Sequence, residues 1–191
     1  VPAIHVYISS SLSISNAFQN LETCDNLGFS FSTVHSGCWE NLQTTGKLYM
    51  ALSNVHSGFN NLLQLNSLFM KVGISIPSNS FSSLQTAEFI DLGEGAFLQN
   101  FSFPSLQTTH SISFIPSVGT VNPPSEVSQN ILINLPSLES IHNFYYYNAS
   151  ERITDINLSN CDSIINFWIA SNSDTWDNSI SSLILPEGAR I

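Results

Sequence analysis

Positive charge is scarce in this chain. Only 4 of its 191 residues are Lys or Arg, against 14 Asp plus Glu. The formal net charge of -10 excludes the basic footprint that nucleic acid requires. It also excludes charge-driven adhesion to an anionic membrane. The acidity instead keeps a Ser- and Asn-rich surface soluble. Long apolar runs are missing too, so no stretch reads as a membrane-spanning helix and no membrane insertion is expected. The opening Val1, Pro2, Ala3, Ile4 and His5 lack the basic start of a signal peptide. Without an initiating Met, the chain reads as a mature or trimmed product, and its Ser, Thr and Asn richness with few Lys suits a protein secreted or on a cell surface. Asn100, Asn148 and Asn157 stand in Asn-x-Ser sequons.

Cysteine is sparse, and three residues do not make a disulfide framework. Cys24 and Cys161 fall on apolar positions of the pattern described below, where a thiol packs as a small hydrophobe. A Cys24–Cys38 bridge is the alternative. Catalytic signatures are absent as well. There is no Gly-x-Ser-x-Gly, no His-Glu-x-x-His and no phosphate loop. Asp155, Asp162, Asp174 and Asp177 are the nearest thing to paired carboxylates, which serve glycoside hydrolysis or hold Ca²⁺. They read more simply as solvated loop acids. No cofactor and no metal site is expected. The chain is read as a non-enzyme.

What the chain has in abundance is repetition. Phe81, Leu84, Ile90 and Leu92 form a four-point apolar pattern. It returns as Phe103, Leu106, Ile112 and Phe114, and earlier as Phe59, Leu62, Leu68 and Met70. Before these come Trp39, Leu42, Leu48 and Met50, and then Phe18, Leu21, Leu27 and Phe29. Leu135, Leu138, Phe144 and Tyr146 follow. The starts are separated by 21, 20, 22, 22 and 32 residues. A period in this range means stacked coils, each burying its neighbour's apolar residues. The final pair in each copy has the strand spacing of two, and the first pair has a spacing of three that fits a bend or a turn of helix. Ile4, Val6 and Ile8 alternate like the strand of an earlier coil. Within the long interval, the Pro- and Gly-rich stretch 116–127 predicts a protruding loop. A second polar stretch, 171–178, is also irregular.

With Cys24, Thr45, Leu65, Ala87, Thr109 and Ile141 midway, the pattern becomes L-x-x-[small or apolar]-x-x-L-x-L. This resembles the leucine-rich repeat. The likeness is sharpest at Ile153-x-x-Ile156-x-Leu158-x-x-Cys161-x-x-Ile164 and at Ile164-x-x-Phe167-x-Ile169-x-x-Asn172, with Leu183 and Leu185 as a last strand. Aromatic first anchors, and Ser or Gly after the strand, make the variant look closest to BspA-like bacterial surface repeats or receptor L-domains. The resemblance implies one domain over residues 1–191, a β-rich, α/β-type right-handed solenoid. It would have one parallel sheet and irregular or short helical convex turns.

In such a fold the residues flanking the inward pair point outward. The outward column runs Gly28, Tyr49, Phe69, Asp91, Ser113, Tyr145, Asn157, Trp168 and Ile184. Lys47 and Phe89 fall on one side of it, and Lys71 and Tyr147 on the other. Tyr49, Phe69, Phe89, Tyr145, Tyr147, Trp168, Lys47 and Lys71 are therefore the candidate binding residues, since aromatic anchors dominate interfaces. His35 and His56 repeat within Val-His-Ser-Gly, which reads as a recurring turn rather than a metal pair. The expected function is recognition of a protein or glycan, as the resembled families imply. The rivals are a carbohydrate-active parallel β-helix and a structural spacer of a larger surface protein, for which the uncapped Ala189-Arg190-Ile191 end speaks. The first would need acids clustered with an arginine, and Arg152 and Arg190 are the only ones.

Overall fold

The structure is a computed structural model and describes residues 3–9, 11–35, 37–56, 59–71, 74, 76, 79–93, 100–114, 131–148, 154–171 and 182–185. The chain winds as a parallel β-solenoid. Its strands are β1 (His5–Ile8), β2 (Ser13–Ile14), β3 (Thr23–Ser30), β4 (Thr33–Val34), β5 (Thr44–Ala51), β6 (Asn54–Val55) and β7 (Gln64–Met70). There follow β8 (Thr86–Leu92), β9 (Asn100–Ser102), β10 (Thr108–Phe114), β11 (Ile131–Asn134) and β12 (Ser140–Asn148). The last are β13 (Thr154–Asn157), β14 (Ser163–Ser171) and β15 (Ser182–Ile184).

Three sheets, not the single one expected, wrap the core. An eight-stranded sheet runs β1-β3-β5-β7-β8-β10-β12-β14. Behind it lie a three-stranded sheet, β2-β4-β6, and a four-stranded sheet, β15-β13-β11-β9. Among the described residues there is no helix, so of the expected irregular or short helical convex turns the helical ones are not seen, and short strands stand there. The reason is local. β4 and β6 are two-residue pieces, Thr33–Val34 and Asn54–Val55, that pair in register and bury their valines. A β-branched residue between turns suits a pleat better than a helix. The 116–127 loop and the 171–178 stretch fall almost wholly outside the described residues.

The repeat phase holds. Leu68, Leu84 and Leu106 are fully buried and Ile90 nearly so. Ile90 and Ile112 are cross-strand partners. The spacing-three pair is a bend, closed by the amide of the second residue donating to the carbonyl of the first. Leu42 to Trp39, Leu62 to Phe59, Leu84 to Phe81 and Leu106 to Phe103 all do this at 3.0–3.2 Å. Cys161 to Leu158 closes the same bend at 3.0 Å. That bend reveals a further copy, Leu158, Cys161, Phe167 and Ile169, twenty-three residues after Leu135. The expected leucine-rich line from Ile153, which lies outside the described residues, through Ile156, Leu158 and Cys161 to Ile164 crosses two sheets over its described part. Ile156 belongs to β13, and Ile164, Phe167 and Ile169 to β14. Leu183 does lie in a last strand, but in the four-stranded sheet; Leu185 follows it.

Polar side chains tie coil to coil. Asn41 Nδ2 donates to the Gln19 carbonyl at 2.6 Å, and Asn61 Nδ2 to that of Glu40 at 2.6 Å. Ser105, Ser137 and Asn160 repeat the contact against Ser82, Pro104 and Pro136. These bonds satisfy carbonyls that the bends leave without a ladder partner. Asn157 is engaged likewise. Its Nδ2 donates to Asn134 Oδ1 at 2.9 Å and its Oδ1 accepts from the Ser159 amide at 3.1 Å.

The three cysteines are free and buried, so the Cys24–Cys38 bridge does not form. Each sits in the apolar core. Burial pushes the Cys24 and Cys161 thiols up, outweighing the lowering hydrogen bonds, one to Thr45 for Cys24 and two to the Ser163 and Ile141 backbone for Cys161. Ellman's reagent should therefore label no thiol in the native protein near neutral pH and three after unfolding. The folded state holds these protons more tightly than the unfolded chain does. Stability is thus intact below the ordinary thiol range and falls as pH rises through it. Rapid native labelling at any one cysteine would contradict its enclosure.

Candidate functional site

The face of the eight-stranded sheet turned from the core is built by the pleat. Inward partners such as Leu48/Leu68 and Met50/Met70 alternate with outward Lys47/Ser67 and Tyr49/Phe69. The central outward row reads Tyr7, Gly28, Tyr49, Phe69, Asp91, Ser113, Tyr145 and Trp168, each paired in register with the next. Two members of the expected column are misplaced. Asn157 and Ile184 pair with each other in the four-stranded sheet. Tyr7, which the sequence reading left out, opens the row and is 70% exposed. Its ring lies over Gly28, where a side chain would collide with it.

The candidate residues form two groups rather than one continuous strip. In the first, Tyr49 and Phe69 are neighbours, both half-buried. Lys47 Nζ stands 4.8 Å from the Phe69 ring centroid and Lys71 Nζ 6.0 Å. Phe69 is therefore a seat for two ammonium groups, held by the negative face of the ring. Lys71 also donates to Asp91 Oδ2 at 2.6 Å. Lys47 forms no ion pair among the described residues. Of the chain's four basic residues, the two that are described thus meet at one spot.

In the second group Tyr145 and Trp168 meet edge to face, centroids 6.3 Å apart. Both are exposed, Trp168 at 49%. Asp91 and Ser113 separate this pair from Phe69. At about 4.8 Å per strand, Tyr49 to Trp168 spans roughly 24 Å. Phe89 is exposed in the row of Lys47, and its ring meets His110 edge-on at 5.5 Å. His110 stacks on His142 at 4.7 Å. Neither histidine was singled out from sequence, because the long 103–135 interval hides that they share a register. Tyr147 pairs with Ala170 at the end of β12, and its side chain lies outside the described residues.

A groove lies beside the first group and was not foreseen. Each strand carries two consecutive outward residues where the inward spacing is three, as between Cys24 and Leu27. On β5 one of them is Gly46, and the notch it leaves opens into a groove of about 440 Å³. Thr23, Asp25, Thr44, Gln64 and Asn66 line it with Ile4. Asp25 Oδ2 accepts the Ile4 amide at 2.8 Å, which fixes the rim.

His35 and His56 stack in register, centroids 5.2 Å apart, with Ser13 Oγ 2.9 Å from His35 Nε2. They follow the small three-stranded sheet, away from this face. Gly37 has the expected left-handed φ of 82°; its counterpart Gly58 lies outside the described residues. Among the described residues no three His, Cys, Asp or Glu side chains gather to hold a metal. No helix among them is long and apolar enough to cross a membrane. No protein-family model, curated protein or solved structure matches the chain.

Proposed function

We propose that this chain is a non-enzymatic binding module, secreted or on a cell surface, that recognises an extended glycan or protein through the face of its eight-stranded sheet. The observation that carries the reading is the in-register row of outward aromatics: Tyr49 beside Phe69, which lies under two lysines, and Tyr145 against Trp168. Inward side chains are demanded by packing, whereas an outward aromatic in the open has no structural task to account for it. The roughly 24 Å span suits a linear partner laid across the strands. Of the carboxylates Asp25, Glu88 and Asp91 on this face, two are already committed, to the Ile4 amide and to Lys71. This favours binding over the hydrolytic alternative, which needs paired free acids. Kinship with leucine-rich, BspA-like surface repeats remains part of the proposal, supported by the recurring apolar anchors. The strand-built rear of each coil weighs towards a more general β-solenoid.

Replacing Tyr49, Phe69 and Trp168 together by Ser tests it on a glycan array and in pull-downs from surface extracts. The outward side chains carry little of the core, so the far-ultraviolet spectrum should be retained. Binding should fall by roughly thirtyfold or more, the effect of losing about 2 kcal/mol at even one anchor. A triple variant that folds and binds like the parent would remove the sheet face from consideration.

A further inference from the structure

The polar groove around Gly46 has an occupant that its chemistry identifies. We infer that it is a subsite for one anionic sugar residue of a glycan chain, with Lys47 as the contact to the acidic group. The inference rests on the sheet face being a binding surface; its hydrogen-bonding side chains lie apart from the aromatic row, which it shares only through the seat of Lys47 on Phe69.

The first argument is what the fold leaves unpaired. Three asparagines elsewhere on the solenoid meet partners one coil away. Asn26 Nδ2 reaches His5 Nδ1 at 2.6 Å, Asn166 Nδ2 reaches Asn143 Oδ1 at 2.8 Å, and Asn157 reaches Asn134. In the groove, Gln64 and Asn66 make no side-chain hydrogen bond to a described residue, and neither do Thr23 and Thr44. Gly46 lies between the coils of Asp25 and Asn66, so no side chain bridges them. Four uncommitted donor–acceptor groups thus converge on one concavity. Hydroxyls and amides that both donate and accept match a ligand rich in hydroxyl groups.

The second argument is charge. Lys47 follows Gly46 directly; it does not itself line the groove, but its ammonium is pre-positioned just past it, over Phe69, with no acid paired to it among the described residues. A cation held ready in a chain of net charge -10 selects for an anionic group on the ligand. Asp25, on the opposite side of Gly46, accepts sugar hydroxyls and disfavours a second negative group there. A carboxylate and a sulfate ester would both satisfy Lys47, and the probes below separate them.

The test is calorimetric and NMR titration of the intact chain with three trisaccharides: a galacturonate, its neutral galactose counterpart and a sulfated galactose. The parent should bind an anionic probe more tightly than the neutral one. If the galacturonate leads, the group is a carboxylate; if the sulfated sugar leads, it is a sulfate ester. Gln64→Ala with Asn66→Ala should weaken binding of every probe roughly tenfold, the effect of losing about two hydrogen bonds. Thr44→Val gives an independent, smaller loss should that double variant prove unstable. Lys47→Gln should erase the preference for the anionic probe while neutral binding persists. Absence of saturable binding to all three sugars would overturn the inference, as would titrations unchanged by the groove variants. Loss of array binding in the aromatic triple variant alone would leave the sheet-face reading standing and the groove inference refuted. Binding of an acidic peptide but of no sugar would have the same consequence.

Discussion

Phe59→Ala should destabilise the fold by about 3–5 kcal/mol. The ring is fully buried. It stacks on Phe81 with centroids 5.6 Å apart and meets Phe29 at 6.3 Å. Phe81 in turn meets Phe103 at 5.7 Å, so Phe59 stands within an aromatic column along the solenoid axis. In a solenoid each coil touches only its neighbours, so no distant element can move in to fill the hole. The cavity opens on both sides at once, against Phe29 and against Phe81. Total stabilities are commonly about 5–15 kcal/mol, so the loss is a large share of the whole. Phe18→Ala is the internal control. Phe18 also stacks on an aromatic, Trp39 at 4.5 Å, but its outer side is open to solvent. It should cost less than half as much. Urea denaturation read by far-ultraviolet circular dichroism measures both. A Phe59 variant that loses under about 1 kcal/mol would mean that the column is not closed around it.

The phase of this fold was legible because apolar anchors recur at a fixed spacing where coil must pack on coil. Leu84, Leu106 and Ile90 announce their burial through a spacing that nothing but packing requires. Cross-strand register follows from the same spacing, so Tyr49 could be set beside Phe69 from the letters alone, whereas the expected column put Asn157 between Tyr145 and Trp168, which pair directly. The rear strands were not legible. Two residues such as Thr33 and Val34 carry no period, and they pair only because the coils already stack. The copy at Leu158 was obscured by Ile153 and Ile156, which fit a leucine-rich line equally well until the sheet of Ile156 is known. Side-chain choices on the outward face were hidden for a different reason. Sequence says that Lys47, Lys71 and Phe69 share a face, but not that both ammoniums lie down on one ring. Nor does a glycine advertise a groove, since the notch depends on Asp25 and Asn66 flanking it.

Gly46→Ala and Gly28→Ala should part company although each adds one methyl at a similar overlap. A Cβ on Gly46 would lie 2.5 Å from the carbonyl oxygen of Asp25, with that residue's carbonyl carbon at 3.4 Å. Those atoms are β3 backbone, tied into the pairing of Thr23 with Thr44, Cys24 with Thr45 and Asn26 with Lys47. They cannot retreat unless the two strands separate at that point. A Cβ on Gly28 would lie 2.6 Å from Tyr7 Cδ1, which is no looser. Tyr7, however, is the most exposed of the large hydrophobics, and its ring can swing away. Gly46→Ala should therefore cost about 1–3 kcal/mol, the usual range for forced overpacking. Gly28→Ala should lie within about 0.5 kcal/mol of the parent, helped by the smaller backbone entropy that alanine loses on entering a strand. Thermal midpoints of the two variants under one buffer decide the matter. Equal midpoints would show that the coils do not approach each other at Gly46 as closely as the backbone places them. The floor of the groove would then be wider than one missing side chain, and an alanine there would leave room for the sugar.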